Sequence, residues 1–354
     1  MKVLVSTDTV GGVLTYTTEL AAALELGGHE VVVATMGPSP RPEQRAALPA
    51  RVHVGEYRLE WMEDPWDEVA EAGEWLRGLE EEERPDVVHL CSYAHGAVEF
   101  AAPKVLVAHS CVLSWWRAVH GTEAPPAWDR YREEMAAGLR GADAVGAPTR
   151  AMLEELERDH DLPPGRATVI HNAASDSCPT PLGRKSLVLG SGRFWDAAKN
   201  LGALDAAAEG LEWPVLVAGD IGDGPAPRHA ESVGALAPAA LAELRRRAPI
   251  YAAPALYEPF GLGILEAARD GCALVLGDIP SLRELWSEAA IFVDPHDHRA
   301  LHAALARLIA APDVREDLGR RARRRAEDYS IDPFLRGYER LYMNLIQAPA
   351  EVRS

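Results

Sequence analysis

Short apolar runs rich in β-branched residues alternate with helix-forming stretches along the whole chain, and one segment divides this alternation in two. Seven runs precede residues 173–183, which are rich in Pro, Ser and Gly, and six runs follow them. Apolar strands that alternate with helices are typical of parallel sheets covered by helices on both faces. The pattern therefore predicts an α/β chain of two doubly wound, Rossmann-like domains that face a central cleft. The runs are KVLVS, EVVVAT, VHVGEY, DVVHLC, KVLVAHS, AVGAP and TVIHN, then SLVLGSGR, PVLVAGD, ESVGAL, PIYAAPA, CALVLGD and AIFVDP.

The interruption sets the expected domain boundaries. Residues 1–172 should form the first domain and residues 173–330 the second, with 173–183 as the linker. Helices are predicted at 13–26, 66–82, 128–139 and 150–159. The final stretch spaces Phe334, Tyr338, Leu341, Tyr342 and Leu345 as on one helix face, so it predicts a last helix over 331–347 that needs an apolar partner surface.

Composition excludes several classes of protein. Hydrophobic residues make up 47% of the 354 residues, enough for two cores, and no apolar run is long enough to span a membrane. The N-terminus is expected to be the first strand rather than a signal peptide. Four scattered cysteines (Cys91, Cys111, Cys178 and Cys272) indicate reduced thiols in a cytoplasmic protein. A net charge of −18 argues against nucleic acid and anionic membranes as partners.

Half of that charge lies in one segment. Residues 58–86 hold 12 acidic and 3 basic residues, a net charge of −9, together with three tryptophans. A solvated helix face with the tryptophans packed inward is one interpretation, and a lip of an acceptor groove is the other. The basic clusters at 245–247 and 320–325 fall on predicted helices, where exposed faces are expected.

The segment APALYEPFGLGILE is the most informative for function. It places Glu258 and Glu266 eight residues apart, with Pro259, Gly261 and the start of a helix between them. Pro259 breaks regular structure, and Gly261 lets the backbone approach a ligand closely. A phosphate at the helix N-terminus, with one carboxylate on each side, would suit a phosphorylated, hydroxyl-rich ligand. A loop that merely joins a strand to a core helix explains the two glutamates alone equally well.

Other candidate residues follow the predicted strands. Arg193 and Lys199 come after LVLGS, where two cations suit a diphosphate. His109 directly follows VLVA, where an imidazole can hydrogen-bond a sugar hydroxyl or a phosphate oxygen, although a lone His is more often structural. Gly11 and Gly12 end the first strand and leave room for a ligand, as glycines in such turns commonly do.

Two neighbouring tryptophans, Trp115 and Trp116, suit stacking on an acceptor, and burial in the core is the equally good alternative. The glycine-rich turn is not GxGxxG and no acidic residue closes the second strand, so no nicotinamide cofactor is indicated. No His/Cys cluster has the spacing of metal ligands, and we expect neither a catalytic metal nor another cofactor.

Several segments of the chain together resemble a known family. GRFWDAAKN, VLVAGD, ALYEPFGLGILEAARDGCALVLGDIPSLRELW and AIFVDPHD are similar to the retaining nucleotide-sugar glycosyltransferases of family 4, also described as glycosyl transferases group 1, which have the GT-B fold. GGVLTYTTELAAALELGGHEVVVAT and TVIHNAAS resemble that family too. The likeness covers most of the chain, is densest in residues 186–294 and is weakest in residues 41–146, where the acceptor would bind.

The resemblance implies a role for each matched residue. Glu258 would face the transferred sugar, and Glu266 would hold the ribose hydroxyls. Arg193 and Lys199 would clamp the diphosphate, with the amides of Phe260, Gly261 and Leu262 touching phosphate or sugar. Gly12 and His109 would contribute contacts from the first domain, and the last helix would cross back onto that domain. Asn172-Ala173 and Asp270-Gly271 depart from the family pattern outside the proposed chemistry.

The expected activity is therefore a retaining, front-face transfer of a sugar from a nucleotide diphosphate sugar to an acceptor hydroxyl, with no protein nucleophile. A UDP-sugar is the first choice of donor and GDP-mannose the second, on family frequency. The acceptor is expected to be a small molecule or saccharide, neutral or cationic. The alternatives are a sugar-nucleotide epimerase or hydrolase on the same scaffold, and a non-catalytic nucleotide-sugar binding protein.

Overall fold

Two parallel sheets carry the fold of this computed structural model, which describes residues 1–160, 162, 165–175 and 182–348. The chain divides into two compact units. The first consists of Met1–Arg117, Thr122–Ala173 and Ile331–Ser354, and the second of Ala118–Gly121 and Ala174–Ser330. Cys178 and part of the predicted linker lie outside the described residues, and the three described cysteines are free thiols.

Within the described residues, every run predicted to be a strand forms one. The first sheet has the order β3-β2-β1-β4-β5-β6-β7 and the second the order β10-β9-β8-β11-β12-β13, with every pairing parallel. In both sheets the order reverses beside the first strand, as in a doubly wound fold. The strands are β1 (Lys2–Asp8), β2 (Glu30–Met36), β3 (Val52–Val54), β4 (Val87–Leu90), β5 (Lys104–Val107), β6 (Ala144–Ala147), β7 (Ala167–Val169), β8 (Val188–Ser191), β9 (Val215–Ala218), β10 (Glu231–Gly234), β11 (Ile250–Ala253), β12 (Ala273–Gly277) and β13 (Ala290–Val293).

The helices between these strands confirm the four predicted for the first domain to within a few residues. The predicted helix at 128–139 begins one residue later, because Pro126–Trp128 forms a short 3-10 turn before it. The helices are α1 (Gly12–Leu26), α2 (Pro42–Ala47), α3 (Trp66–Glu83), α4 (Val112–His120), α5 (Asp129–Gly141), α6 (Arg150–Asp159), α7 (Leu201–Ala208), α8 (Pro238–Arg247), α9 (Leu262–Arg269), α10 (Pro280–Trp286), α11 (His298–Ala310), α12 (Pro312–Ala326) and α13 (Ile331–Gln347).

Both faces of the second sheet are buried at its central strands, as the continuous apolar runs predict, whereas the edge strand β10 is largely exposed. Leu274 and Leu276 of β12 join one hydrophobic cluster, whereas Val275 between them joins the other. Successive side chains of a strand point to opposite faces, so an unbroken apolar run is what a sheet covered on both sides requires.

The last helix, α13, packs within the first unit. Its residues Phe334, Tyr338, Tyr342 and Leu345 are buried, and it lies against α1. The Tyr16 hydroxyl of α1 donates to the Tyr338 hydroxyl over 2.6 Å. Tyr16, Tyr338 and Tyr342 surround a fully buried imidazole.

That imidazole is His89 of β4, which has no exposed surface. It is hydrogen-bonded to the hydroxyls of Tyr16 and Tyr342 at 3.2 and 2.7 Å. Burial lowers the pKa of His89 to about 3, because the apolar surroundings penalise the charged imidazolium. The neutral His89 ring therefore has a structural role and helps to hold α13 in place.

The acidic segment behaves mainly as a solvated helix face. Glu74 and Glu81 of α3 are exposed and pair with Arg77 in consecutive turns. Glu83 is an exception, since only 1% of its side chain is exposed and it pairs with Lys2 and two further basic side chains. Part of the charge of this segment thus stabilises the end of the first sheet.

One expectation about the basic clusters is wrong. The Arg245 side chain of α8 is only 13% exposed, and it forms ion pairs with Glu266 of α9 and with Asp270, which follows α9. Because α8 and α9 flank β11 on the chain, a helix face that looks solvated in sequence becomes an internal contact of the second unit.

Candidate functional site

The loop after β11 carries Glu258 at the carboxyl end of the second sheet, and the helix that follows, α9, carries Glu266. Gly261 caps α9 with a left-handed backbone (φ 85°). This positive φ favours glycine, and a Cβ there would also lie 2.8 Å from the Cδ1 atom of Ile264, which would have to move. The first-turn amides of α9, including that of Leu262, precede the helix's own hydrogen bonds and point out of its N-terminus. Phe260 is buried, with its ring edge-on to Tyr329 at 5.7 Å.

The structure brings Lys199 directly to Glu258. The Lys199 Nζ atom lies 2.5 Å from the Glu258 Oε2 atom, and the two side chains are 20% and 18% exposed. The Ser281 hydroxyl donates to the Glu258 carbonyl over 2.6 Å and fixes the backbone that carries the carboxylate. An ammonium and a carboxylate are thus held together where β8 and β11, neighbours in the sheet, both end.

A neighbouring asparagine holds the turn of Lys199 in place. Asn200 adopts a left-handed conformation (φ 55°), which asparagine tolerates better than most residues. Its Nδ2 atom donates to the carbonyls of Pro254 and Pro295 at 2.8 and 2.7 Å. One side chain therefore ties the loops after β8, β11 and β13 together.

Arg193 lies on the loop that follows β8. Its guanidinium is 5.3 Å from the centre of the Trp195 ring, which stabilises the side chain by a cation–π contact. The backbone of this loop lies against Gly219, where an added Cβ would be 1.8 Å from the Gly192 carbonyl oxygen. The loop can approach the end of β9 only because residue 219 has no side chain.

Glu266 lies one turn inside α9 and is bound to an arginine. The Arg245 Nη1 atom donates to the Glu266 Oε2 atom over 2.6 Å, and its Nε atom donates to Asp270 Oδ2 over 2.6 Å. The Glu266 side chain keeps 33% of its surface exposed. Glu258 and Glu266 thus lie on one loop-helix element, each engaged by a different cation.

In the first unit, Gly11 and Gly12 start α1 at the carboxyl end of β1. Gly11 is left-handed (φ 89°), and a Cβ on Gly12 would meet nothing within 4 Å, so the space beside Gly12 is open. His109 follows β5, and its ring centre is 4.3 Å from that of Tyr16. Its buried Nε2 atom has no hydrogen-bond partner among the described residues. Burial lowers the pKa of His109 to about 3, so the neutral ring offers one polar atom to a ligand.

Trp115 and Trp116 both lie on α4. Their ring centres are 6.3 Å apart in an edge-to-face arrangement, and both side chains are half-buried. Trp116 packs against the cluster around Leu113, Tyr131 and Met135, which is the core role that the sequence left open.

A carboxylate that the sequence did not single out lies at the end of β4. Glu60 is half-buried and accepts the amides of Tyr93 and Ala94 at 3.1 and 2.9 Å. Desolvation raises the pKa of Glu60 to about 7, and the charge of Asp8 acts in the same direction. No sequence signal distinguishes Glu60 from its acidic neighbours.

The described residues contain no group of three or more His, Cys, Asp or Glu side chains placed to hold a metal ion. The sequence does contain one Asp-x-Asp triplet, at residues 159–161. The Asp159 carboxylate pairs with Arg117 at 2.8 Å and with Arg158 at 3.2 Å, and residue 161 lies outside the described part. Arginines therefore neutralise the first acid of this triplet.

Sequence reasoning missed Asn200, Ser281 and Arg245. Asn200 follows Lys199 directly, and its tolerance of left-handed backbone was the available signal. Ser281 and Arg245 lie 23 and 21 residues from the groups they contact, and nothing local marks them.

Comparison with known proteins identifies the families that this chain matches. Residues 10–177 match the family model described as Glycosyltransferase Family 4, and residues 226–325 match the model described as Glycosyl transferases group 1. A D-inositol 3-phosphate glycosyltransferase of Gordonia bronchialis is 32% identical over 110 residues, which are 29% of this chain. This match spans about a quarter (24%) of the relative's length.

Solved structures agree at the level of the fold. Sucrose-phosphate synthase of Thermosynechococcus elongatus superposes with a TM-score of 0.81 at 18% identity, covering 99% of this chain and 100% of that one. HepE of Anabaena, in its complex with UDP-glucose, gives a TM-score of 0.77 at 14% identity, covering 97% and 100%. Identities this low establish the architecture and not the substrates.

The fold and the family models define the class, which is the GT-B glycosyltransferases. The two models together match well over half of the chain, and the chain belongs to the glycosyltransferases that combine a family 4 first domain with a group 1 second domain. The resemblance to GT-B glycosyltransferases seen in the sequence is confirmed, and the retaining mode of transfer stays a prediction. None of the described helices is long and apolar enough to cross a membrane.

Proposed function

We propose that this protein transfers a sugar from a nucleotide diphosphate sugar to an acceptor hydroxyl. The observation that carries the proposal is the Lys199–Glu258 ion pair at 2.5 Å, beside the N-terminus of α9. An ammonium and helix amides can receive the diphosphate, while a carboxylate beside them can orient the hydroxyls of the sugar. Arg193 on the adjacent loop would add a second cation to the diphosphate.

For the donor, we propose a UDP-sugar first and GDP-mannose second. Family frequency supports this order, and so does the UDP-glucose bound to HepE, a protein of the same fold. Glu266 on α9 would receive the ribose hydroxyls. In the first unit, Gly11, Gly12 and His109 are proposed donor contacts and Trp115 and Trp116 proposed acceptor contacts.

We propose that the transfer retains the anomeric configuration and needs no metal ion. Glu258 is held by Lys199, so its carboxylate is better suited to orienting the sugar than to attacking it. The leaving phosphate would take the acceptor proton as the new glycosidic bond forms on the same face. Lys199 and Arg193 would stabilise the charge that develops on the leaving diphosphate.

Thermal shift with UDP, GDP, ADP and their sugars tests the proposal first, because a ligand that binds the native state raises the melting temperature. The donor identified in this way is then incubated with and without candidate acceptors. Sugar transfer that requires an acceptor supports the proposal. Donor consumption at the same rate without acceptor would identify a hydrolase or epimerase, and binding without turnover would identify a binding protein.

Location in the cytoplasm remains a prediction.

A further inference from the structure

We propose that Arg245 is a positioning residue that orients Glu266 toward a ribose and so selects ribonucleotide donors over deoxyribonucleotide ones. The inference rests on the proposed function and adds a residue that no motif of the sequence marked. It concerns one ion-paired group within the second unit, formed by Arg245 of α8 with Glu266 and Asp270, which we call the Arg245 triad.

One acid of the Arg245 triad is buried, and the other is partly exposed. The side chains are 7% exposed for Asp270, 13% for Arg245 and 33% for Glu266. The acid at the C-terminal end of α9 is thus buried, and the acid one turn earlier reaches solvent. Part of the Glu266 side chain is therefore accessible to a ligand.

A second arginine restrains Asp270, the buried acid of the triad. Arg184 donates to the carbonyls of Asp270 and Gly271 at 2.6 and 3.0 Å. Asp270 is therefore restrained through both its backbone and its side chain. A rigid guanidinium that binds a restrained carboxylate through Nε has little freedom left at Nη1, the atom that holds Glu266.

Charge explains why an arginine is needed. Glu266 lies on α9 and Asp270 follows the end of this helix four residues later, a spacing at which like charges repel each other. One guanidinium between them offsets this repulsion and engages both acids through separate N–H groups. A lysine has a single ammonium and cannot reproduce this forked contact.

The consequence is a carboxylate that is held in one orientation and accepts hydrogen bonds without donating them. The 2′- and 3′-hydroxyls of a ribose are adjacent donors that suit such an acceptor. A site built to bind hydroxyls discriminates strongly against a ligand that lacks them, because its polar group is left unpaired. Loss of Arg245 should therefore reduce discrimination at the ribose.

The experiment measures a ratio of affinities by titration calorimetry. UDP, GDP and ADP are titrated into the full-length protein, and the tightest ligand is compared with its 2′,3′-dideoxy form. We expect the wild type to bind the ribonucleotide about tenfold or more tightly than the dideoxynucleotide. In Glu266→Gln and Arg245→Met the two ligands should bind with affinities that differ by about twofold or less, and the affinity for the dideoxynucleotide should be unchanged.

A matched control lies on the same helix. Arg247→Met removes an arginine that pairs with Glu243 at 2.9 Å, and it should keep the wild-type ratio. If Arg245→Met does not fold, Arg245→Lys and Asp270→Asn take its place. Each should lower the ratio about threefold or more, because each breaks one arm of the triad.

The outcomes separate the two proposals. A ratio that falls in Glu266→Gln but stays at the wild-type value in the Arg245 and Asp270 variants overturns the role of Arg245 and leaves the ribose contact intact. A wild type that binds no nucleoside diphosphate overturns the donor site, and one without ribose preference overturns the Glu266 contact; either result removes the basis for the triad's role.

Discussion

Replacement of Lys199 by methionine tests the proposed diphosphate site most directly. The change keeps the length of the side chain and removes its charge. At about 4 Å and an effective dielectric constant of about 20, one lysine charge stabilises one phosphate charge by about 4 kcal/mol. Lys199 would have to share or leave its contact with Glu258, a partly exposed pair worth about 1 kcal/mol. The net loss of about 3 kcal/mol corresponds to roughly a hundredfold in kcat/KM.

Stability should change much less than activity. Glu258 is 18% exposed and can reach water after its partner is removed, so we expect Lys199→Met to cost about 1 kcal/mol and a few degrees of melting temperature. Steady-state kinetics with the donor found by thermal shift, together with a melting curve, measures both effects. Arg193→Ala should reduce turnover in the same direction.

Lys185→Met provides the control for the loss of a lysine. Lys185 is exposed and forms no ion pair within the described residues, so its replacement should leave kcat/KM unchanged. A folded Lys199→Met variant with kcat/KM within threefold of the wild type would refute the assignment of Lys199 to the diphosphate.

Four further predictions follow from the same structure. Glu266→Ala should mainly raise the donor KM and Glu258→Ala should mainly lower kcat, with the anomeric configuration retained in the first product seen by NMR; swapped phenotypes or an inverted product would contradict these roles. Activity should survive exhaustive EDTA treatment, and full restoration by Mg²⁺ or Mn²⁺ after a complete loss would reveal a metal site. Burial lowers the pKa of His89 to about 3, from about 6.5 in the unfolded chain, so between these pH values the unfolded chain binds a proton that the folded protein does not. The free energy of unfolding should therefore be fully retained above pH 6.5 and should fall as the pH decreases toward 3, by about 2 kcal/mol at pH 5. His89→Leu should therefore lose less stability than the wild type between pH 7 and 5, in denaturant titrations with His296→Ala as the surface control. Truncation after Asp332 should give an insoluble or much less stable protein, because it removes the apolar face of α13 from its place against α1, and wild-type melting and activity would refute that packing.

Much of the fold was predictable because the signals are local. An apolar run of four to seven residues specifies a strand buried on both faces, and its alternation with helices specifies parallel pairing. All strands and the four predicted helices of the first domain could therefore be located from the sequence. Gly261 was predictable for a similar reason, because a strand, a Pro and a Gly before a helix indicate a loop that reverses direction at a helix N-terminus.

The candidate site was predictable only in part. The spacing of Glu258 and Glu266 follows from their place on one loop and helix, so it is visible in the sequence. The residue pattern suggested a diphosphate for Arg193 and Lys199 and a hydroxyl-rich ligand for the two glutamates, and the family resemblance gave each residue its specific role. Those roles stay predictions until the kinetic experiments are done.

Tertiary structure alone decided which charges meet. Lys199 and Glu258 are 59 residues apart, and they form a pair because β8 and β11 are neighbours in the sheet although β9 and β10 intervene in the chain. Arg245 looked like a solvent-exposed residue of α8 until its helix was placed beside α9. The spacing of apolar residues indicates whether a side chain faces the core, but it does not indicate which residue that side chain contacts. That identity depends on strand order and helix packing, which bring distant parts of the chain within the few ångströms over which a hydrogen bond or ion pair acts.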